Sequence, residues 1–428
     1  MQTTPTADNS WGFARKFLFC FLFVYLFLYC FPYPFDAFDF TKPIAKPYYD
    51  FLDYVIPQIG EHWFHLKAKT AFPFFDKFDD SYYGLVDLYI TLIIAFVAAV
   101  IWSIFDRRRK NYETLYQWLR LYLRFFLVAY LFGYGFIKIF PSQFQEITAF
   151  RLSQTFGDQS PMLLAWNFMG YSSVFMRILG STEVLAGILL LFRRTTTIGA
   201  ILSFAVFGFV ETMDFTFNVP VRLLSAHLLF ISAFLFLDDW KRLLNTFLLN
   251  KPTEASAYKP LVSHSPGSKI FTGILVTLGV CMLVSQIIIS RKSEREFGWK
   301  AQRNALYGVY NTTYFIRNND TIPPVDTDSL RWKQLVIDGG TWSQFGAVKF
   351  CSDKRISYEM EVDTLKQLLR MKSFADTTEV YSFHFSKPDT NHILFKGVWK
   401  KDSLRILMSK YDLSNYKLHR EKFTWIEE

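Results

Sequence analysis

A chain of 428 residues that is 51% hydrophobic and 19% aromatic, with 48 Phe, nevertheless has a mean hydropathy of only +0.14. Two kinds of domain are averaged in that figure, because long apolar runs fill the first two thirds and the last third is polar. The net charge of +9 and pI near 9.1 raise nucleic acid as a partner, but the basic residues sit in short clusters beside apolar runs and not along one polar face, which argues against it.

A bilayer core takes about 20 apolar residues per helix, and about seven segments meet that need. They run approximately from Phe17 to Phe31, Leu85 to Phe105, Leu119 to Phe140, Val174 to Phe192, Ile198 to Phe215, Val219 to Leu237 and Ile270 to Ser290. FPYPF follows the first with no small-residue cleavage site, so it reads as an anchor and not a removed signal. The expected division is an anchor at 1–32, an external loop at 33–83 with room for a short interfacial helix, and a second span with its basic segment at 84–117. Four further spans occupy 118–245, a Pro- and Ser-containing linker 246–268, the seventh span 269–290, and a polar domain 297–428.

Lys and Arg clusters orient spans. Arg15 and Lys16 precede the first, Arg107 to Lys110 follow the second, Arg193 and Arg194 the fourth, and Lys241 and Arg242 the sixth. All fall on one side, taken as cytoplasmic, and an odd number of spans then puts the C-terminal domain outside. Arg291, Lys292 and Arg295 run against this, softened by Glu294 and Glu296 beside them and by Lys251, Lys259 and Lys269 on the other side.

In the polar domain the period becomes two. LYGVYNTTYFI, RWKQLVI, FGAVKF, RISYEMEV, EVYSFHF, HILFKGVW, SLRILMS and YKLHREKFTWI each read as a strand bounded by Asp, Asn, Gly or Pro. Short strands at even spacing predict an all-β barrel or sandwich, lipocalin-like in the reading preferred here. The predicted fold class is a multi-pass α-helical membrane protein with a C-terminal all-β domain.

The runs GYGFIKIFPSQF, GDQSPMLLAWNFMGYSSVFMRILGSTEVLAGILLLFRRTTTIGA and NVPVRLLSAHLLFISAFLFLDDWKRLL resemble the DoxX-like family of membrane proteins, in its long Bacteroidota-type form, over about residues 118 to 245. The G-x-x-E…LLL-x-RR-T-T…GA portion is the most specific part. The resemblance implies a four-helix membrane bundle in a bacterial inner membrane. Its relatives include the DoxD subunit of thiosulfate:quinone oxidoreductase, methylamine-utilisation membrane proteins and Surfeit-type cargo receptors, so it implies activity only loosely.

Ionisable residues inside spans nominate the site, since lipid does not solvate charge. Lys138 ends the third span, Arg177 opens the fourth, and Glu183 lies two turns further in. Glu211 and Asp214 close the fifth span, Arg222 opens the sixth, and His227 lies about 7 to 8 Å deeper. With Trp166, Tyr134 and Met169 as walls, these predict a polar pocket opening outward, Glu183 and His227 being its deepest ionisable groups. Glu183 paired with Lys138 or Arg177 reads equally as a lock between helices, and His227 as a donor to a backbone carbonyl. Trp166 reads more readily as an interfacial anchor than as a stacking platform.

Other chemistries find little support. Cys20 and Cys30 stand ~15 Å apart along one helix, and no C-x-x-C or zinc spacing exists among the four cysteines. Glu61, His62 and His65 with Asp36, Asp39, Asp76, Asp79 and Asp80 in one loop make a weak metal motif, and no metal is expected. P-loop, Rossmann and nucleophile-elbow patterns are missing. Two functions remain. The first is an accessory protein holding membrane lipid, quinone or another amphipath, with the external β domain meeting an envelope protein partner or the ligand. The second is a DoxD-like oxidoreductase passing electrons from a small external reductant to quinone, Glu183 and His227 handling protons and Lys138, Arg177 and Arg222 attracting the anion.

Overall fold

The computed structural model describes residues 10–38, 40–65, 80–253, 261, 267–340, 344–374, 376 and 378–420. They divide into two units, Met1–Ile139 with Ile178–Ile289, and Phe140–Arg177 with Ser290–Glu428. In chain order the helices are α1 Phe13–Cys30, α2 Lys42–Phe64, α3 Tyr82–Phe105, α4 Glu113–Ile139, α5 Ala149–Leu152, α6 Pro161–Gly170, α7 Ser173–Leu191, α8 Thr196–Thr216, α9 Arg222–Phe236, α10 Trp240–Phe247, α11 Gly267–Glu296 and α12 Lys417–Arg420. Among the described residues seven are long and apolar enough to cross a membrane: α1, α3, α4, α7, α8, α9 continued through α10, and α11. They coincide with the seven segments read from the sequence, and the chain is a multi-pass membrane protein. The loop between the first two spans holds a helix, α2, which at 23 residues is longer than the short one expected and carries Pro47 and Pro57.

Local chemistry sets several boundaries. Pro32 and Pro34 follow α1, and proline neither donates to a helix nor tolerates helical geometry before it. Ser81 caps α3 by accepting the Gly84 N–H at 3.1 Å. The outward faces are apolar: Ile93, Ile94, Phe96 and Val97 of α3 and Ile270, Ile274, Val280 and Ile288 of α11 are all exposed. In water such surface costs about 25 cal/mol per Å², whereas acyl chains cover it.

The first unit is built around α4. Its membrane-spanning window is 61% buried, against 11% for α11, and Leu123, Leu127, Val128, Leu131 and Phe132 are sealed within it. Small residues bring α7 against it. A Cβ on Gly180 would meet Lys138 Cβ at 2.9 Å and Ile139 N at 3.0 Å, and one on Gly135 would meet Val184 Cγ2 at 2.7 Å. At one end of the helices the Trp11 N–H donates to the Lys110 carbonyl (2.9 Å), and at the other the Asp80 N–H donates to the Pro220 carbonyl (3.1 Å).

The second unit is a closed antiparallel barrel with a helical segment docked on it. Its strands are β1 Gly308–Arg317, β2 Asp320–Thr321, β3 Trp332–Gly339, β4 Gln344–Phe350, β5 Arg355–Asp363, β6 Leu368–Ser373, β7 Val380–Ser386, β8 His392–Trp399 and β9 Asp402–Tyr411. The order is β2-β1-β3-β4-β5-β6-β7-β8-β9, and β1 pairs with β9. Apart from two-residue β2, this is an eight-stranded up-and-down barrel, the lipocalin-like architecture expected. Alternation fills its interior: Tyr381, Phe383 and Phe385 of β7 face in, with Leu404, Ile406 and Met408 of β9. Trp399 packs on Tyr381 (4.3 Å), Trp332 (5.1 Å) and Tyr358 (5.6 Å).

Two strand assignments change. YKLHREKFTWI is not a strand in its described part, where Lys417–Arg420 is a helical turn and 421–428 lie outside the described residues. Its Lys, His, Arg and Glu lack the apolar alternation that a barrel wall requires. The remaining strand is β6, where Leu369 and Met371 face in and Arg370 and Lys372 face out. It escaped notice because it carries no β-branched or aromatic residue.

The segment from Phe140 to Arg177 packs on the barrel by hydrogen bonds and rings. Asp338, buried on β3, accepts the Phe150 N–H at 2.7 Å, and Arg355 donates to the Phe150 carbonyl at 3.0 Å with its guanidinium 4.1 Å over the Phe150 ring. Ala149 packs with Val309 and Val336. Burial lowers the Arg355 pKa from its ordinary value, yet arginine stays charged throughout the working pH range.

Two predictions test these contacts. Gly180→Val should destabilise the first unit by about 1–3 kcal/mol in detergent unfolding, while Gly133→Ala, with nothing within 4 Å of its Cβ, should cost nothing. Asp338→Ala should leave the Phe150 N–H without its acceptor, costing about 1–3 kcal/mol, and should raise protease cleavage within 148–155 while the barrel stays folded.

Candidate functional site

Several ionisable residues of the first unit lie beside α4, near its two ends. Near its C-terminus Lys138 and Glu183, side chains 6% exposed each, pair at 3.0 Å. The ammonium also reaches the Tyr134 carbonyl (3.3 Å), so this cation is held by α4 itself and by α7. The neighbouring helices add acids. Asp214 of α8 is 5% exposed, and its carboxyl lies within electrostatic reach of Lys138, Glu211 and Asp80. Its Oδ2 is buried with no hydrogen-bond partner among the described residues. Ser225 of α9 donates to Glu211 of α8.

Arg222 fastens the start of α9 to the loop before α3. Its Nε donates to Asp80 at 2.7 Å, and the backbone N–H groups of Arg222 and Leu223 donate to the same carboxylate at 3.0 and 2.9 Å. An acid at a helix N-terminus satisfies orphan donors and the positive end of the dipole together. Asp80 thus acts as a cap and ion-pair partner. Of the described residues of the weak metal motif, Asp36 accepts from Tyr49 (2.8 Å), and His62 contacts the Gln58 carbonyl (2.9 Å). Among the described residues no His, Cys, Asp or Glu group has metal-binding geometry, while Asp39, Asp76 and Asp79 lie outside them.

His227 engages another helix. Its Nδ1 lies 2.5 Å from the Leu223 carbonyl and its Nε2 2.5 Å from the Tyr25 hydroxyl. A carbonyl only accepts, so Nδ1 carries a hydrogen, and in the neutral ring Nε2 accepts from Tyr25. The Tyr29 ring stacks on the imidazole at 3.8 Å and 12°. Glu183 and His227 therefore share no partner among the described residues, one meeting α4 and the other α1.

The predicted set divides further. Lys138, Glu183, Glu211, Asp214 and Arg222 belong to the same unit as His227, whereas Arg177 and Trp166 belong to the barrel's unit. Arg177 is exposed and makes no ion pair among the described residues. Trp166 packs on Phe144 at 5.0 Å, and Met169 is buried in the same unit.

Sequence reasoning overlooked the other end of α4. Arg120, 5% exposed, pairs with Asp238 and donates to the Leu235 carbonyl (3.0 Å). Arg124, equally buried, lies 3.4 Å from Thr196 Oγ1, and Thr197 donates to Asp239, which also binds Arg242 (3.0 Å). The available signal was spacing, since Arg120 and Arg124 stand one turn apart and so share a face. Also overlooked was a cleft of about 180 Å³ in the barrel's unit, where Arg303 pairs with Glu146 at 3.0 Å beside Asp338.

Removing one member of a buried pair strands the other. Lys138→Met should cost about 3–5 kcal/mol in thermal unfolding in detergent, and adding Glu183→Leu should recover most of it. A double variant as unstable as the single would show that the pair is not the relevant contact.

No family model and no solved structure matches the chain. A curated relative is the uncharacterised protein YwoB of Bacillus subtilis (strain 168), 31% identical over 124 residues, which span 29% of this chain and 79% of that protein. On that likeness, the chain belongs to the family of YwoB.

Proposed function

We propose that the chain is an accessory protein of a bacterial inner membrane, whose bundle holds the polar head of a lipid, quinone or other amphipathic molecule beside Lys138, Glu183, Asp214 and Ser225. The observation that carries this reading is Asp214 Oδ2, buried with no hydrogen-bond partner within geometric reach among the described residues, on a carboxyl that the Ser225 hydroxyl also approaches. Such groups call for a donor, and a hydroxyl or amine head supplies one. Ser225 and Glu211 stand alongside with hydrogen-bonding capacity, and Lys138 offers a charge to an anionic group. The resemblance to DoxX-like proteins fits such a bundle without naming its ligand.

The orientation proposed is barrel outward. Arg15, Lys16, the basic run from Arg107 to Lys110, and Lys241 with Arg242 all stand at span ends on one side of the bundle by chain order, as cytoplasmic loops do. The segment after α4 and the barrel after α11 form one compact unit, so both belong on one side, and an odd number of spans gives the same answer. The barrel's interior rings pack on one another, which favours a role for its outer surface, as contact for an envelope protein partner.

A second reading, the quinone-linked oxidoreductase, rests on the Tyr25–His227 contact of 2.5 Å, a pair able to pass a proton. The four cysteines are free and offer no dithiol for electron storage.

Mass spectrometry of small molecules retained through purification tests the first reading. Asp214→Asn should lower the retained amphipath about tenfold or more, the worth of a hydrogen bond to a charged group, with thermal stability unchanged. Full retention in that variant contradicts the site. A retained quinone whose reduction is lost in His227→Ala favours the second reading.

A further inference from the structure

At the opposite end of the bundle from Lys138 lies a groove of about 560 Å³ between α1 and α3. Its lower wall is apolar, formed by Phe13, Phe17, Val100 and Ile104, and its rim carries Lys16 and Arg107. Both helices end here, α1 beginning at Phe13 and α3 finishing at Phe105, so the groove opens where two spans leave the hydrocarbon. We infer that this groove is a binding site for one anionic phospholipid, its phosphate between Lys16 and Arg107 and its upper acyl carbons along Phe17, Val100 and Ile104.

Three features select that occupant. The division of the lining into an apolar floor and a cationic rim matches a molecule whose charge and chains meet at one point, and basic sites at span ends take acidic headgroups. Lys16 uses one N–H on the Arg109 carbonyl at 2.7 Å, leaving two donors of the three that an ammonium carries. Arg107 is exposed and makes no ion pair among the described residues, and its fork suits a phosphate. The acid of the lining, Asp106, is engaged by Arg109 at 3.6 Å, so it does not cancel the rim. Buried Tyr112 closes the inner side, ringed by Trp11, Phe19 and Trp102. The site is separate from the Asp214 cluster, and neither proposal depends on the other.

The test uses the full-length chain in neutral detergent, equilibrated with phosphatidylglycerol or with phosphatidylcholine, the bound lipids being counted by native mass spectrometry. One phosphatidylglycerol should remain bound under conditions that strip phosphatidylcholine. Lys16→Gln with Arg107→Gln should weaken its retention by about tenfold or more, each cation being worth several-fold near a membrane surface. Val100→Trp, which fills the apolar floor and keeps both charges, should displace the same lipid and keeps the proposal testable if the double variant does not fold. Equal retention of the two lipids, unchanged retention in Val100→Trp, or displacement by inorganic phosphate alone would overturn the assignment.

Discussion

The constraint on which the first unit depends is the burial of α4, a membrane helix carrying cations that lipid cannot solvate. Arg120 and Lys138 are 18 positions apart, ~27 Å at the helical rise, close to the ~30 Å of a hydrocarbon core. Each meets an acid on another helix, Asp238 of the segment after α9 and Glu183 of α7. Both cations are buried in protein, and removing the partner of a buried charge costs about 3–5 kcal/mol. The pairs therefore set which helices neighbour α4 and at what height, and the glycines at 135 and 180 let α7 come close enough for the second pair to form. Apolar packing against lipid has no comparable preference for partner or register.

The same economy of polar groups organises the ends of the other helices. Asp80 serves the start of α9 as cap and counter-ion at once, and His227 has both ring nitrogens engaged. Among the buried polar atoms left without a hydrogen-bond partner among the described residues is Oδ2 of Asp214, and the functional reading rests there. The barrel's unit repeats the pattern in a different setting. Buried Asp338 accepts from the Phe150 N–H and Arg355 donates to the Phe150 carbonyl, so residues of two strands fasten the segment that follows α4 in the chain.

The spans were legible because hydropathy over about 20 residues is a property of composition alone, and seven spans were found where seven were expected. Barrel strands were legible where aromatic or β-branched residues alternate, as in Tyr381, Phe383 and Phe385. Leu369 and Met371 gave the same alternation without that chemistry, and β6 was passed over. For the site, sequence reasoning named Lys138, Glu183, Asp214 and Arg222 but could not say which face each occupies. Depth is readable from a span's ends, whereas the partner of a side chain depends on helix rotation and neighbour order. That is why Glu183 and His227, similar in depth, turn to different helices, and why Trp166 falls in the other unit. Arg120 was overlooked for the converse reason, standing near the end of a span where a lone arginine looks like an interfacial residue.

Oxygen accessibility of spin labels along the helices in a bilayer tests the central position of α4 most directly. Labels at Leu127 and Leu131 should be shielded from lipid-dissolved oxygen, while labels at Ile93 and Ile274 should be strongly relaxed by it. Equal relaxation at all four positions would mean that α4 faces acyl chains, and the buried pairs at its ends could not be the contacts that order the bundle.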